Sequence, residues 1–421
     1  MSITGATTLT AIGQTEQLTA KNTSGTVVTG GVTWKSANTT VVTVSAAGLV
    51  TATGLGATLI TAIYQSATAI QPIAVGPQGT TPIAACGTLS APGPYVLAID
   101  LSPVQPNSTC VTINGTSGLQ LDCQGHSIWS LVLNGVSNGT VTNCAAQSLT
   151  GTGLSNVTIV RSAILTLSFT GATSCIVTNS TFSPVVGTRP DAGVFLTAGS
   201  NNQILNNAIT GGYDGSAAKV GIDDGVLLEN ETGDVIQGNT ITNFYDTALE
   251  SIGGVATTTI ANNTMTNLGM AGIGTYWCTN WSNNVIRGNA VSRSPTLLYV
   301  VYDTGGPRGS TPPAGFTGNQ VLGNSFSTPT GGYQSLPAAS PRMFVFFPSG
   351  SPVASNVLQG NNFGSNDGPA LTPLSGFIDG GGNICGPLNP AISNFVCTGG
   401  GSAGFRRSRE SSSSATVGRN A

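Results

Sequence analysis

Carboxylates are the one reactive side-chain type that this sequence concentrates. Asp214, Asp223, Asp224, Glu229, Glu231, Asp234, Asp246 and Glu250 put eight of the 16 acidic residues within 37 positions, against about 1.4 for even spreading. Carboxylates gathered from neighbouring strands shift one another's proton affinity, which can set an acid beside a base. Phasing the strand-like runs on Gly193-Val194, Gly225-Val226, Ala248-Leu249 and Gly272-Ile273 turns Val194, Val226, Leu249 and Ile273 inward. Alternation then gives the outer face to Asp223, Leu227 and Glu229, to Asp246 and Glu250, and to Gly274 and Tyr276. In that register Asp223 and Asp246 stand about 4.8 Å apart on adjacent rungs, and Glu229 and Glu250 roughly 8 Å apart on a diagonal. The first spacing raises one of two pKa values. The second falls in the window of about 6.5–9.5 Å that admits a water molecule in an inverting glycosidase. A slip of one residue would undo both.

Two other readings use the same acids. Aspartate opening a strand, as in Asp191-Ala-Gly, Asp224-Gly and Asp246-Thr, forms turns by accepting from local N–H groups. Stacked carboxylates also hold calcium, and Asp223, Asp224 and Asp246 are the candidate ligands here. Tyr213, Tyr245, Tyr276, Trp277, Trp281, Tyr299 and Tyr302 share the acid-bearing stretch, and aromatic faces stack on sugar C–H faces. Tyr276, Trp277 and Tyr302 are the candidate sugar platforms, with Lys219 and Arg287 as further substrate contacts; loop packing is the plainer use of the same rings. His126 is the single histidine, which excludes multi-histidine metal sites, and the cysteines lack the CxxC spacing of zinc sites.

The elements that must position these residues are strands. Only 7% of the 421 residues are charged, too few to solvate amphipathic helices, while 58 Gly with many Thr, Ser and Asn favour short strands and tight turns. A net charge of −3 with 13 basic residues argues against a nucleic-acid partner, and no apolar run reaches the length of a membrane span. Residues 1–76 alternate as a small β-sandwich, and 77–85 form a Pro/Gly linker. Residues 86–398 then repeat a phrase of two apolar residues, a polar pair with Asn, and another apolar residue. It recurs at Asn143, Asn179, Asn207, Asn239, Asn263, Asn289, Asn324 and Asn361, in a repeat whose length drifts upward from about 17 to 37 residues. Repeats stacked at about 4.8 Å let these Asn side chains form a ladder, which predicts a right-handed parallel β-helix. The Ser/Gly/Arg-rich 399–421 reads as a disordered tail. Cys385 and Cys397 close a short loop that suggests a disulfide, whereas Cys123, Cys144 and Cys175 read as buried core residues.

The stretch 32–62, with Trp34, Ser36, Val44-Ser45, Gly48-Leu49-Val50 and Gly56, resembles the bacterial Ig-like group 2 domain. That resemblance implies a spacer or surface module without chemistry of its own. The phrase CVTINGTSGLQLDCQGHSI (110–128) resembles the first rungs of right-handed parallel β-helix proteins of the pectin-lyase-like superfamily. This implies an all-β chain: an Ig-like sandwich followed by a solenoid used by lyases, hydrolases, epimerases, tailspikes and adhesins alike. Asp223-Asp224 invites comparison with polygalacturonases, but no His-Gly follows and no Arg-Ile-Lys clamp is present.

The expectation is a secreted or surface protein whose partner is a polysaccharide or cell-surface glycan. MSITGATTLT lacks the n- and h-regions of a signal peptide, so such a peptide has been removed or export takes another route. The leading reading is a glycoside hydrolase using Asp223/Asp246 or Glu229/Glu250 as acid and base, with no resident cofactor apart from the calcium reading. The alternatives are a non-catalytic adhesin or structural β-helix protein, and a polysaccharide lyase with Lys219 as base.

Overall fold

The computed structural model describes residues 1–102, 108–185, 191–216, 221–301, 315–328, 342–347, 353–362 and 376–384; within these, the side chains of 276–279, 301 and 342–347 are not described. All elements among them are strands but for a single 3-10 residue, Gly376.

The N-terminal strands form three small sheets. Thr8–Leu9, Ala67–Val75, Gly56–Tyr64 and Thr33–Ser36 make one, Thr15–Gln17, Leu49–Ala52 and Val42–Val44 a second, and Ser2–Thr4 with Thr19–Lys21 a third. Their alternating apolar residues meet in one core of Leu9, Leu18, Val42, Val50, Ile60, Ile73 and Val75, with half-buried Trp34 packed against it. From Thr81–Ile83 onward every strand pairing is parallel, in sheets of 13 and 19 described strands. Thr81–Ile83 lies inside the stretch read as linker, yet it already pairs with Pro94–Leu97 of the 13-stranded sheet.

Each coil contributes one short strand to the first sheet and one or two to the second, and its inward residues continue columns such as Leu131, Leu149, Leu167, Val194, Val226, Leu249, Ile273 and Leu298. All of these are buried in one continuous core. The corners need a left-handed residue, supplied most often by Asn or Gly, as by Asn206 at φ 54° and Gly238 at φ 70° on successive coils, and in places by others such as Arg161 and Thr257.

Two polar ladders, not one, run inside these corners. In the first, the Asn207 N–H donates to Asn239 Oδ1 (2.9 Å), Asn239 to Asn263 (2.9 Å), Asn263 to Asn289 (3.0 Å) and Asn289 to Asn324 (2.9 Å), continuing to Asn361 and Asn383. At its N-terminal end Cys144, Ser162 and Ser180 hold the equivalent places. Asn143 and Asn179, expected in the ladder, are instead the left-handed corner residues one position earlier, at φ 55° and 50°. The second ladder links Asn202, Asp234, Thr258, Asn284, Asn319 and Asn356. Successive first-ladder residues are 18, 18, 27, 32, 24, 26, 35, 37 and 22 positions apart, so coil length varies while the corner geometry repeats.

Cysteines tie the first coils together. Cys86–Cys110 and Cys123–Cys144 are disulfides. Cys123 and Cys144 are buried in the core as expected, but as a bonded pair rather than separate thiols, at matched corner positions of adjacent coils. Cys175 is free and buried. Cys385 and Cys397 lie outside the described residues, as does the 399–421 tail.

Candidate functional site

The acids gather where four coils enter the 19-stranded sheet, on strands Ala192–Thr197, Asp224–Thr232, Thr247–Ala256 and Ala271–Ser282. The Asp224 N–H donates to the Asp191 carbonyl (3.1 Å), the Asp246 N–H to the Asp223 carbonyl (2.9 Å), and the Met270 N–H to the Asp246 carbonyl (3.0 Å). Asp191, Asp223 and Asp246 therefore take the same position on three successive coils. Asp223 and Asp246 are both half-buried.

Strict alternation fails at the next step, and the failure brings in a residue absent from the expected catalytic set. Gly193-Val194, Gly225-Val226, Ala248-Leu249, Gly272-Ile273 and Leu297-Leu298 each turn two consecutive residues inward. Ala248 and Leu297 belong to the core, and a Cβ on Gly193 or Gly272 would stand 2.8 Å from Ile209 or 2.6 Å from Val291. The double inward step returns Asp224 to the outer side, where the Thr247 hydroxyl donates to its Oδ1 at 2.7 Å. Asp224 is only 4% exposed. Burial pushes its carboxyl well above the usual range, and the charge of Glu250 and a hydrogen bond with that side chain add to the shift. The signal for Asp224 was in the sequence: Gly recurs at the inward step wherever the corner is too tight for a side chain.

Glu250 is 7% exposed and stands in the outer column Leu227, Glu250, Gly274, Tyr299. Glu229 faces out, half-buried, opposite Ile252, one coil back from Glu250 and two residues further along. Tyr299 is 8% exposed, and its phenol is raised by burial and then by the charge of Asp246, which puts that hydroxyl among the acids. Tyr213 and Tyr245 meet edge to face with centroids 5.9 Å apart, just before Asp214 and Asp246 in sequence. Ala192, Phe195, Leu227 and Ile252 form a small apolar cluster beside the acids.

Other expected residues fare differently. Tyr276 opposes Ile252 in the ladder and Trp277 follows it, but their side chains are not described; Lys219 and Tyr302 lie outside the described residues. Arg287 is not brought to the acids. It ends the strand Val285–Arg287 in the 13-stranded sheet, exposed, between Ala261 and Leu322. His126 pairs with Asp100 (3.3 Å) in the first coils. Among the described residues, which include Asp223, Asp224 and Asp246, no three His, Cys, Asp or Glu side chains are grouped so that they could hold a metal ion.

With this geometry, the comparisons with known proteins can be placed. Residues 1–71 match the model of the bacterial Ig-like domain (group 2), and residues 129–326 that of the right handed beta helix region. The chain joins a group 2 bacterial Ig-like domain to a right-handed β-helix. Comparison with curated proteins finds no match. Among solved structures the β-helix is similar to an endo-xylogalacturonan hydrolase from Aspergillus tubingensis (12% identity, 77% of this chain and 92% of that one, TM-score 0.45). It is also similar to the periplasmic alginate epimerase AlgG (13%, 68% and 74%, TM-score 0.42) and to the Streptococcus pneumoniae surface protein and adhesin PfbA (12%, 72% and 87%, TM-score 0.37). At such identities the likeness is one of fold. Among the described residues no helix is long and apolar enough to cross a membrane.

Proposed function

We propose that the outer face formed by Asp224–Thr232 and Thr247–Ala256 binds a polysaccharide and hydrolyses it. The observation that carries this reading is the Asp224–Glu250 pair: a carboxyl whose proton affinity is raised by burial and by a neighbouring carboxylate, beside Asp223 and Asp246 on adjacent coils. Acid catalysis of glycosidic cleavage needs a proton donor that survives at neutral pH together with an ionised group that holds water or the developing cation. Asp224 is the donor in this reading, Glu250 sustains its proton affinity, and Asp246 and Asp223 are the candidate bases. Leu227, Ile252 and Phe195 offer an apolar flank for a sugar face. The Ig-like module and the two disulfides support an extracytoplasmic location, where such polymers occur.

Purified protein is assayed on neutral and acidic polysaccharides by reducing ends and near-ultraviolet absorbance together. Reducing ends without ultraviolet absorbance are expected, with Asp224→Asn and Glu250→Gln each lowering the rate about 10²–10⁴-fold. Undiminished rates in folded Asp224→Asn and Glu250→Gln would sink the assignment, and ultraviolet-absorbing products would mean a lyase. One observation favours a second reading, a non-catalytic glycan-binding surface protein: Asp224 and Glu250 are 4% and 7% exposed, so the pair can serve as a structural clamp between coils. Glycan binding without product release would select that reading.

A further inference from the structure

One coil departs from the ladder chemistry of all the others. In the second ladder, positions held elsewhere by Asn or Thr carry Asp234, and Glu231 is folded in beside it, both at 0% exposure. Asp234 Oδ1 accepts the Asn202 N–H at 2.7 Å, as an Asn would. Glu231 accepts the Gly199 N–H at 2.7 Å and the Asn202 side-chain amide at 3.3 Å, so Asn202 joins the two carboxyls; each is near enough to perturb the other's proton affinity, and the buried Asp234 Oδ2 has no other hydrogen-bond partner. Two neighbouring carboxyl groups at 0% exposure favour holding a proton, since burial penalises each charge and each charge penalises the other.

Among the described residues no other charge relieves the pair. The preceding turn, 198–203, and the following one, 253–259, carry no titratable side chain. Glu229, on the pair's own strand, points to the outer face, and the Cys175 thiol lies two coils back along the same ladder. We propose that Glu231 and Asp234 form a pH-sensitive clasp, in which a shared proton fastens turn 199–202 to turn 231–234 and its loss in alkaline solution opens that corner.

Burial, and then the charge of Asp234, raises Glu231 from 4.5 to about 8, and burial raises Asp234 from 3.8 to about 6. A carboxyl that holds its proton more tightly when folded stabilises the fold fully below its unfolded value. That stabilisation declines as pH rises and is gone above the folded value. The window for the clasp is thus about pH 4 to 8. The clasp closes the far end of the strand that begins at Asp224, so its opening loosens the frame of the acid cluster.

Hydrogen–deuterium exchange of the full chain, corrected for intrinsic rates, tests the clasp without any assay of activity. Between pH 6 and 9 the amides of 199–202 and 234 are expected to lose at least tenfold protection, while those of 263 and 289 stay protected. Asp234→Asn, which installs the residue found at Asn202 and Asn284 of the same ladder, removes the second charge and is expected to reduce the loss of protection and move it to lower pH. Should that variant not fold, Glu231→Gln carries the same expectation. PH-independent protection at 199–202 in the unsubstituted chain, or unchanged pH dependence in a folded variant, would overturn the proposal.

Discussion

A single hydroxyl works against the raised proton affinity of Asp224. Thr247 donates to Asp224 at 2.7 Å, and a donor to a carboxylate favours its charged form, opposing the effects of burial and of Glu250. Thr247→Val keeps shape and burial but removes that donor. If Asp224 supplies the proton in hydrolysis, the alkaline limb of the kcat/KM profile should move up by about one pH unit, because a hydrogen bond to a charged group is worth about 1.5–3 kcal/mol. An unmoved limb would disconnect Asp224 from the chemistry. Asp224 was hard to read from sequence because simple alternation back from Val226 turns it inward. Only the pair of consecutive inward residues at Gly225 and Val226 puts it on the outer side. Glu250 needed no such correction, since one unbroken strand joins it to Leu249. Tyr276 and Trp277 were recognisable as strand residues, but periodicity carries no information on what their rings touch.

Corners and ladders set stability at the level of elements. Asn263 accepts from the Asn239 N–H and side-chain amide, both at 2.9 Å, and donates to the Ile236 carbonyl at 2.8 Å and to Asn289 at 3.0 Å. Asn263→Ala leaves a buried donor and a buried acceptor unmatched, at a cost of about 2–4 kcal/mol. Asn179→Gly, at an exposed left-handed corner, should change stability by a few tenths of a kcal/mol at most, because glycine suits that backbone. Urea midpoints compare the two, and equal effects would contradict the division into ladder and corner positions. The sequence motif showed where the Asn repeat lies but blurred these two roles, since both positions of the polar pair take Asn. Where the corner became Gly, as in Gly238-Asn239 and Gly288-Asn289, the ladder residue was unambiguous; in Asn143-Cys144 and Asn179-Ser180 it was not.

Across the whole molecule, contacts run between neighbouring coils, so stability is close to a sum of local terms. The Cys86–Cys110 bridge, across 24 positions, is worth about 3.5 kcal/mol by chain entropy, and it acts on the first coils alone. Reduction should raise amide exchange over 87–114 and leave 236–292 unaffected; uniform loss of protection would mean that the solenoid unfolds as one unit. Coils of 18 residues also permit a clean excision. Deleting 145–162 joins Cys144 to Ala163 in register and is expected to give a folded chain by circular dichroism, whereas deleting 145–153 puts strand against corner and is expected not to fold.

The uneven coil lengths carry a further consequence. Between the 18-residue coils and those of 27 to 37, the extra residues fall mainly between 182 and 192, 210 and 224, 301 and 316, and 327 and 342, next to the strands that bear the acids or continue beside them. Closing a longer excursion costs only about 0.6 kcal/mol per doubling of its length, and neither ladder is interrupted by it. What borders the acid face can therefore be lengthened, shortened or exchanged while the repeating interior stays as it is. Novelty in recognition and the capacity to fold are under separate control in this chain.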